Sequence, residues 1–461
     1  MNRIMAHTRV DFFFTRTLSG SVFTWQQILN LMIPGILDSL SIMFINTLIV
    51  ALISKNGETS VAAVSLVGPI TGLVTCIFSG ISAGGTIIVA QCLGKGDSRL
   101  LRAAMGMTVW LTVCVGILIC LPFLLFPRAI VELLYPSAEK AVMAKAEIYL
   151  SGCVWSILLF TVYTAFFAVL RGLGESRRCL ALSIIINVAY LVFSILFLNI
   201  LKWDIWGSVW ALILARFLGA AAAVAALLYW HPPVPLRPRE LFSYERSLMG
   251  DTMQVSVPLG LEQVCGSLGS IVAEMYMIGL GTTALATHAI ANSLLGILYA
   301  PASSIASLSV AVVGRCVGAG KYREAYLYGK RCNQITRILV AAAALLFFPL
   351  LTPLLGQYDP SPETRRMAPL LLFGSLIPLL LFWPVSNTLP SALRAMKDTV
   401  FPSILSLTVL WLVSIGLGYL FAIPLGMGLW GVWAAMWLSW AVRAVGFQMR
   451  FRKIRKRIPT A

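Results

Sequence analysis

The chain has 461 residues, of which 59% are hydrophobic and only 11% charged, with a formal net charge of +17. Soluble domains carry about 25% charged residues, so an ordinary globular fold is excluded, and apolar runs of about 20 residues recur from end to end as they do in membrane-spanning chains. The positive charge does not indicate a nucleic-acid binder, because it sits in loops and no folded reader of bases is present.

Residues 1–26 hold Arg3, Arg9 and Arg16 around Phe12, Phe13 and Phe14. They lack the apolar core and cleavage site of a signal peptide and read as a cytoplasmic arm lying on the membrane surface. Six spans follow, at roughly 27–53, 60–91, 101–126, 143–170, 179–201 and 205–230. Residues 231–249, opening on the polar, proline-rich stretch His231–Arg246, form a cytoplasmic linker. Six further spans lie at roughly 253–278, 284–314, 326–353, 367–392, 400–423 and 428–449. The spacing therefore predicts an all-α polytopic membrane protein of twelve helices, an N-lobe over 27–230 and a C-lobe over 250–449, closed by a basic tail over 450–461. Alternate loops carry the positive charge: Lys95, Arg99 and Arg102; Arg171, Arg177 and Arg178; Lys321, Arg323, Lys330 and Arg331; Arg394 and Lys397. Positive loops stay inside, which places both termini in the cytoplasm of a multi-pass plasma (inner) membrane protein, with the tail against anionic lipid.

The halves are copies. Residues 34–97 read again at 258–321 without a gap, an offset of 258 − 34 = 224. Pro34 returns as Pro258, Gly94 and Gly96 as Gly318 and Gly320, and the acid Asp38 as the acid Glu262. Further on, Arg171-Gly-Leu-Gly-Glu corresponds to Arg394-Ala-Met-Lys-Asp, and Ile205-Trp-Gly to Leu429-Trp-Gly. Six spans per copy give both copies the same orientation in the membrane, the parallel type of repeat found in secondary transporters.

Three groups of motifs carry a family resemblance. Ile33-Pro-Gly-Ile-Leu with Asn46 and Val61-Ala-Ala-Val is one. Phe78-Ser-Gly-Ile-Ser-Ala-Gly-Gly-Thr with Val89-Ala-Gln-Cys-Leu-Gly-Lys-Gly-Asp is another, and Leu170-Arg-Gly-Leu-Gly-Glu with Gly431-Val-Trp-Ala-Ala-Met is the third. In this order and spacing the chain resembles the multidrug and toxic compound extrusion family, within the wider multidrug and lipid flippase superfamily. The resemblance implies two six-helix bundles around a V-shaped cleft, and export of organic cations or amphipathic compounds coupled to H⁺ or Na⁺. Asn46 and Asn187 match polar positions of the family, but its usual coupling acids fall here at Ile49, Leu191 and Gly266.

Ionisable groups inside a bilayer are costly and mark sites. Asp38, Glu262 and Glu274 lie well within spans and are the candidates for proton or cation coupling. Asp38 shares a helix face with Ile49, and Glu262 with Gly266, so each acid lies on a face where the family keeps one. Glu274 points about 120° away from Glu262. Substrate-binding candidates are Asn46 and Asn187, the span aromatics Tyr163, Trp155 and Trp383, which suit a cationic ligand, and His288, which titrates near neutral pH in its unperturbed state. Arg216 is expected to pair with an acid such as Asp38 or to snorkel, and Arg443 to snorkel. The nine cysteines form no metal or disulfide pattern, and no nucleotide-binding or catalytic motif occurs, so neither an enzyme nor a resident cofactor is expected beyond H⁺ or Na⁺ as coupling ion. One chain supplies both lobes, so a monomer is expected, with small amphipathic or cationic molecules and membrane lipids as partners. Two alternatives stand beside export: a flippase for lipid-linked or amphipathic substrates, and a non-transporting membrane protein that has lost its coupling acids.

Overall fold

The computed structural model describes residues 21–53, 58–134, 140–229, 240, 245–356, 358 and 361–457. Among them the chain is helical throughout and holds no strand. In the first half α1 is Trp25–Ile53, α2 Glu58–Lys95, α3 Ser98–Leu125, α4 Pro127–Leu134, α5 Lys140–Leu173, α6 Ser176–Ser194 and α7 Asp204–Leu228. In the second half α8 is Arg246–Ile278, α9 Thr282–Gly318, α10 Tyr322–Phe347, α11 Leu351–Gly356, α12 Pro362–Leu381 and α13 Trp383–Ala395. It ends with α14 Val400–Thr408, α15 Gly418–Ala422 and α16 Leu429–Arg457. Eleven helical stretches are long and apolar enough to cross a membrane. The twelfth span is α16, whose Trp430, Trp433, Trp437 and Trp440 lower its hydropathy, since each indole carries a polar N–H. The twelve-span, all-α reading stands.

Four spans depart from simple rods. The ninth, Tyr322–Gly356, tightens into a 3-10 turn at Phe348–Leu350. The tenth, read as one helix over 367–392, breaks at Phe382, because Pro384 has no N–H to donate to the preceding turn. The fifth ends in a π-helical segment, Ile195–Ile200, and the eleventh is π-helical over Val409–Leu417.

The repeat is written into the turns. Gly96 (φ 76°) and Gly320 (φ 75°) stand 224 apart and end equivalent helices in the left-handed conformation. Lys202 (φ 53°) and Asp204 (φ 50°) match Gly426 (φ 67°) and Gly428 (φ 55°) at the same offset. Their hydrogen bonds match too. Trp203 N–H donates to Phe197 O at 2.9 Å, and Met427 N–H to Phe421 O at 3.0 Å. Gly174 (φ 80°) corresponds to Lys397 (φ 68°), and the paired bonds Glu175 N–H to Leu170 O and Asp398 N–H to Leu393 O are both 3.0 Å. Both are helix ends with a left-handed residue after the last turn.

Two compact units form, and they divide the chain inside helices rather than at the linker. One is Leu40–Val264; the other is Met1–Ser39 with Cys265–Ala461. The unit 40–264 therefore includes the first half of α8, and the other includes the first half of α1. Contacts explain both assignments. In the unit 40–264, a Cβ on Gly80 would stand 2.4 Å from Gly260 Cα, and one on Gly84 would stand 2.0 Å from Ser256 Oγ. The small residues Gly80 and Gly84 of α2 thus face Ser256 and Gly260 of α8 with backbones in contact, a small-xxx-small seam on each helix. Ser256 Oγ donates to Ile81 O across it at 3.3 Å. On another face of α2, Ser82 Oγ donates to Thr164 O at 3.2 Å and Thr86 Oγ1 to Ala168 O at 3.1 Å, one turn apart on α2 and α5. In the other unit, Phe23, Ile28 and Met32 are buried in a core with Ile305, Tyr328 and Phe451. The carboxylate of Glu324 accepts from the backbone N–H groups of Ser21 and Val22 at 3.0 and 3.2 Å and fixes where the chain enters α1.

Candidate functional site

Within the unit 40–264, α5 carries the stripe Tyr149, Cys153, Ser156, Phe160, Tyr163 and Phe167. These residues are spaced by three or four, so they share one face of the helix. Phe160 and Tyr163 stack at 5.6 Å, and Tyr163 and Phe167 at 5.4 Å. Across from them α6 contributes Ser183, Asn187 and Tyr190 at the same spacing. Tyr163 Oη lies 3.4 Å from Ser183 Oγ, and Asn187 Nδ2 donates to Ser183 O at 2.8 Å. The aromatic ladder is capped by cations. Arg171 lies 4.7 Å over Phe167, and Arg216 of α7 lies 4.6 Å over Phe160.

Arg216 defines the electrostatics of this cluster. Its Nη1 donates to the buried Ser156 Oγ at 2.9 Å, and Cys153, Tyr190 and Tyr149 are its other polar neighbours. Among the described residues its partners include no carboxylate. Within the unit 40–264 a hydroxyl and a ring face hold Arg216 rather than an acid, and its head is held inside the cluster rather than snorkelling, as suits a weakly hydrated planar guanidinium. Ile49 and Leu191, where the resemblance implies acids, are apolar in sequence, and the charge that this cluster holds at Ser156 is the cation Arg216. Such a cluster can receive a neutral or anionic group through hydroxyls and the guanidinium. Arg216→Ala removes the charged hydrogen bond and the ring contact together. A loss of about 2 kcal/mol is expected, read as a fall in melting temperature in detergent. An unchanged melt would mean that Arg216 anchors nothing.

The other expected site residues are distributed as follows. Asn187 and Tyr163 do meet in the cluster, whereas Trp155, on the same helix, is 58% exposed and takes no part in it. The side chains of Asn46 and Ile49 lie outside the described residues. Glu262 is half-buried at the midpoint of α8, sixteen residues from Arg246 and from Ile278. It belongs to the unit 40–264. Asp38, 7% exposed near the middle of α1, belongs to the other unit, as do Glu274, which is exposed, Trp383 and His288. Trp383, 6% exposed, stacks on Tyr299 at 5.0 Å, so one of its faces is already taken. His288 packs edge-on against Trp433 at 5.9 Å, and its buried Nδ1 makes no hydrogen bond. Arg443 donates from Nε to Ser439 O at 3.4 Å, one turn back on its own helix. Tyr149, Ser156, Ser183, Tyr190 and the role of Arg216 escaped the sequence reading. Their signal was the spacing of hydroxyl and aromatic residues by three and four along α5 and α6.

Comparison with known proteins agrees with this architecture. The family model MatE matches the chain twice, over residues 34–196 and 258–420, with both ends of the second match displaced by the repeat offset. A probable multidrug resistance protein NorM of Rhizobium meliloti (strain 1021) is 27% identical over 454 residues, covering 94% of each chain. The crystal structure of MATE in complex with MaL6 superposes with a TM-score of 0.85 at 20% identity, over 94% of this chain and 97% of that one. A MOP superfamily transporter from Pyrococcus furiosus, described as having a binding pocket of reverse polarity, superposes with a TM-score of 0.81 at 19% identity, over 93% and 96%. With two family matches that together cover most of its length and fall in register with its internal repeat, this chain belongs to MatE, the multidrug and toxic compound extrusion family of membrane transporters, and is not an enzyme.

Proposed function

We propose that the protein is a secondary active exporter of amphipathic or cationic small molecules, working by alternating access with H⁺ or Na⁺ as the coupling ion. The observation that carries this reading is the pair Asp38 and Glu262. They are repeat-equivalent carboxylates near the midpoints of α1 and α8, helices long enough to cross the bilayer, where an acid is costly unless it binds something. Glu262 is the principal coupling group, Asp38 its counterpart, and Glu274, exposed nearer the helix end, an accessory. Asn46, Asn187, Tyr163, Trp155, Trp383 and His288 supply substrate contacts. The relatives named multidrug resistance proteins support the substrate class. The protein acts as a monomer in the plasma (inner) membrane with both termini in the cytoplasm, an orientation that rests on its positive loops.

Arg216 favours a second reading, a flippase for lipid-linked or other amphipathic substrates with an anionic head, because a fixed cation in the α5–α7 cluster suits a phosphate better than an ammonium. One experiment separates the two. Ethidium efflux from proteoliposomes is measured first with an imposed pH gradient, then with a Na⁺ gradient. Efflux driven by the pH gradient supports export with proton coupling, and Na⁺-dependent efflux makes Glu262 a metal ligand. No efflux under either gradient, with movement of a fluorescent anionic lipid, supports the flippase. Movement of neither leaves a protein that does not transport.

A further inference from the structure

In the unit that contains residues 265–461, α10, α13 and α16 enclose a cavity of about 970 Å³. Its wall carries five cations, Lys330 and Arg337 from α10 and Arg452, Arg455 and Lys456 from α16, and no acid. None of the five makes an ion pair or hydrogen bond among the described residues. The neighbouring base Arg450 behaves differently: it is neutralised by a two-pronged contact to Asp398, at 2.6 and 3.1 Å, and stays out of the cavity. These five like charges, exposed at the rim and wall of one hollow, have no compensating acid among the described residues, and a bound anion relieves their mutual repulsion.

Three further observations narrow the anion. Phe382, Val385, Leu389 and Met449 line the same cavity and offer an apolar wall that a small hydrated ion does not need. Arg337 lies sixteen residues beyond Lys321, about 24 Å along the helix axis, at the last polar position before the apolar run Ile338–Leu351. Asn333, also in the wall and 7% exposed, has a side-chain oxygen with no hydrogen-bond partner. A hydroxylated head group supplies a donor for it.

From this arrangement we infer that the groove between α10, α13 and α16 binds an anionic glycerophospholipid, its phosphate among Lys330, Arg337 and Arg452 and its acyl chains along the apolar wall. The basic end of this unit is the end that the loop charges place in the cytoplasm, so the lipid comes from the inner leaflet. Bases between spanning helices on that side are suited to anionic head groups. The site is independent of the coupling acids, and its test does not require transport.

The test is native mass spectrometry of the full-length protein in detergent, with phosphatidylglycerol or phosphatidylcholine added at equal concentration. Wild type is expected to retain phosphatidylglycerol at least fivefold better than phosphatidylcholine. The variant Lys330→Gln/Arg337→Gln/Arg452→Gln is expected to lose that preference, while Arg99→Gln/Lys453→Gln, which removes two exposed bases outside the groove, keeps it. Melting temperature and elution volume report whether each variant folds. If the triple variant does not, Arg337→Gln alone is expected to reduce the preference at least twofold. Equal retention of the two lipids by wild type, an unaltered preference in the groove variants, or an equal loss in the control pair would overturn the proposal. Displacement of the lipid by millimolar inorganic phosphate would also overturn it, by making the groove a site for a free anion.

Discussion

Glu262→Gln is expected to abolish gradient-driven export, with flux in proteoliposomes at least tenfold below wild type, while the protein folds and melts as before. The substitution removes only the ability to carry a charge or a proton, since glutamine has nearly the volume of glutamate and keeps a carbonyl acceptor. Packing is spared for a geometric reason. Glu262 stands two residues beyond Gly260, which puts it about 200° round α8 from the seam with α2. A loss of flux with an unaltered melt therefore reports on coupling. Asp38→Asn is expected to reduce flux less, because Glu262 remains. If Glu262→Gln transports at the wild-type rate under a pH gradient, the coupling carboxylate lies elsewhere. If both flux and melting temperature collapse, the residue is structural.

Gly80→Ala is expected to have the largest effect on folding. The added methyl would meet the backbone of Gly260 at 2.4 Å, closer than any rotamer change relieves, since the obstacle is main chain. Helices α2 and α8 must separate, which costs about 3 kcal/mol in lost packing and strain and weakens the Ser256 hydrogen bond to Ile81. The measurement is thermal unfolding in detergent together with elution volume. Gly72→Ala, on the same helix with nothing within 4 Å of its Cβ position, is the matched control and is expected to melt normally. Equal melts for the two variants would refute the close approach. The seam bears on function as well, because it sets the position of the half of α8 that carries Glu262.

Much of this architecture was readable in advance because it follows from chemistry local to the chain. Charge depletion and run length require spanning helices, since a lipid-exposed backbone must satisfy its own hydrogen bonds. The repeat was visible at Gly96 and Gly320, where glycine marks a left-handed turn, and in the aligned stretches Arg171–Glu175 and Arg394–Asp398, but a lysine carries no sign that Lys397 adopts the left-handed conformation of Gly174. The candidate site was legible only in part. Tyr163 and Asn187 were picked out singly, yet their meeting through Ser183 depends on the packing of α5 against α6. Arg216 was noticed as an intramembrane charge and given the wrong kind of partner, because an acid is the commonest answer to a buried cation and a hydroxyl with a ring face leaves no mark in one-dimensional order. Lys330 was read as loop charge, and Arg337 passed unnoticed at the edge of an apolar run.

The sequence by itself determined the class, the number of spans, the duplication and the scarcity of acids, because each is a property of composition or of spacing along one helix. Tertiary structure alone decided which helix halves form a unit, where Arg216 finds its partners, and that the bases of α10 and α16 surround one cavity. Those outcomes depend on residues far apart in the chain, from the 60 positions between Ser156 and Arg216 to the span between Lys330 and Arg452, which are brought together by how small side chains let helices approach and by which faces they then present to each other.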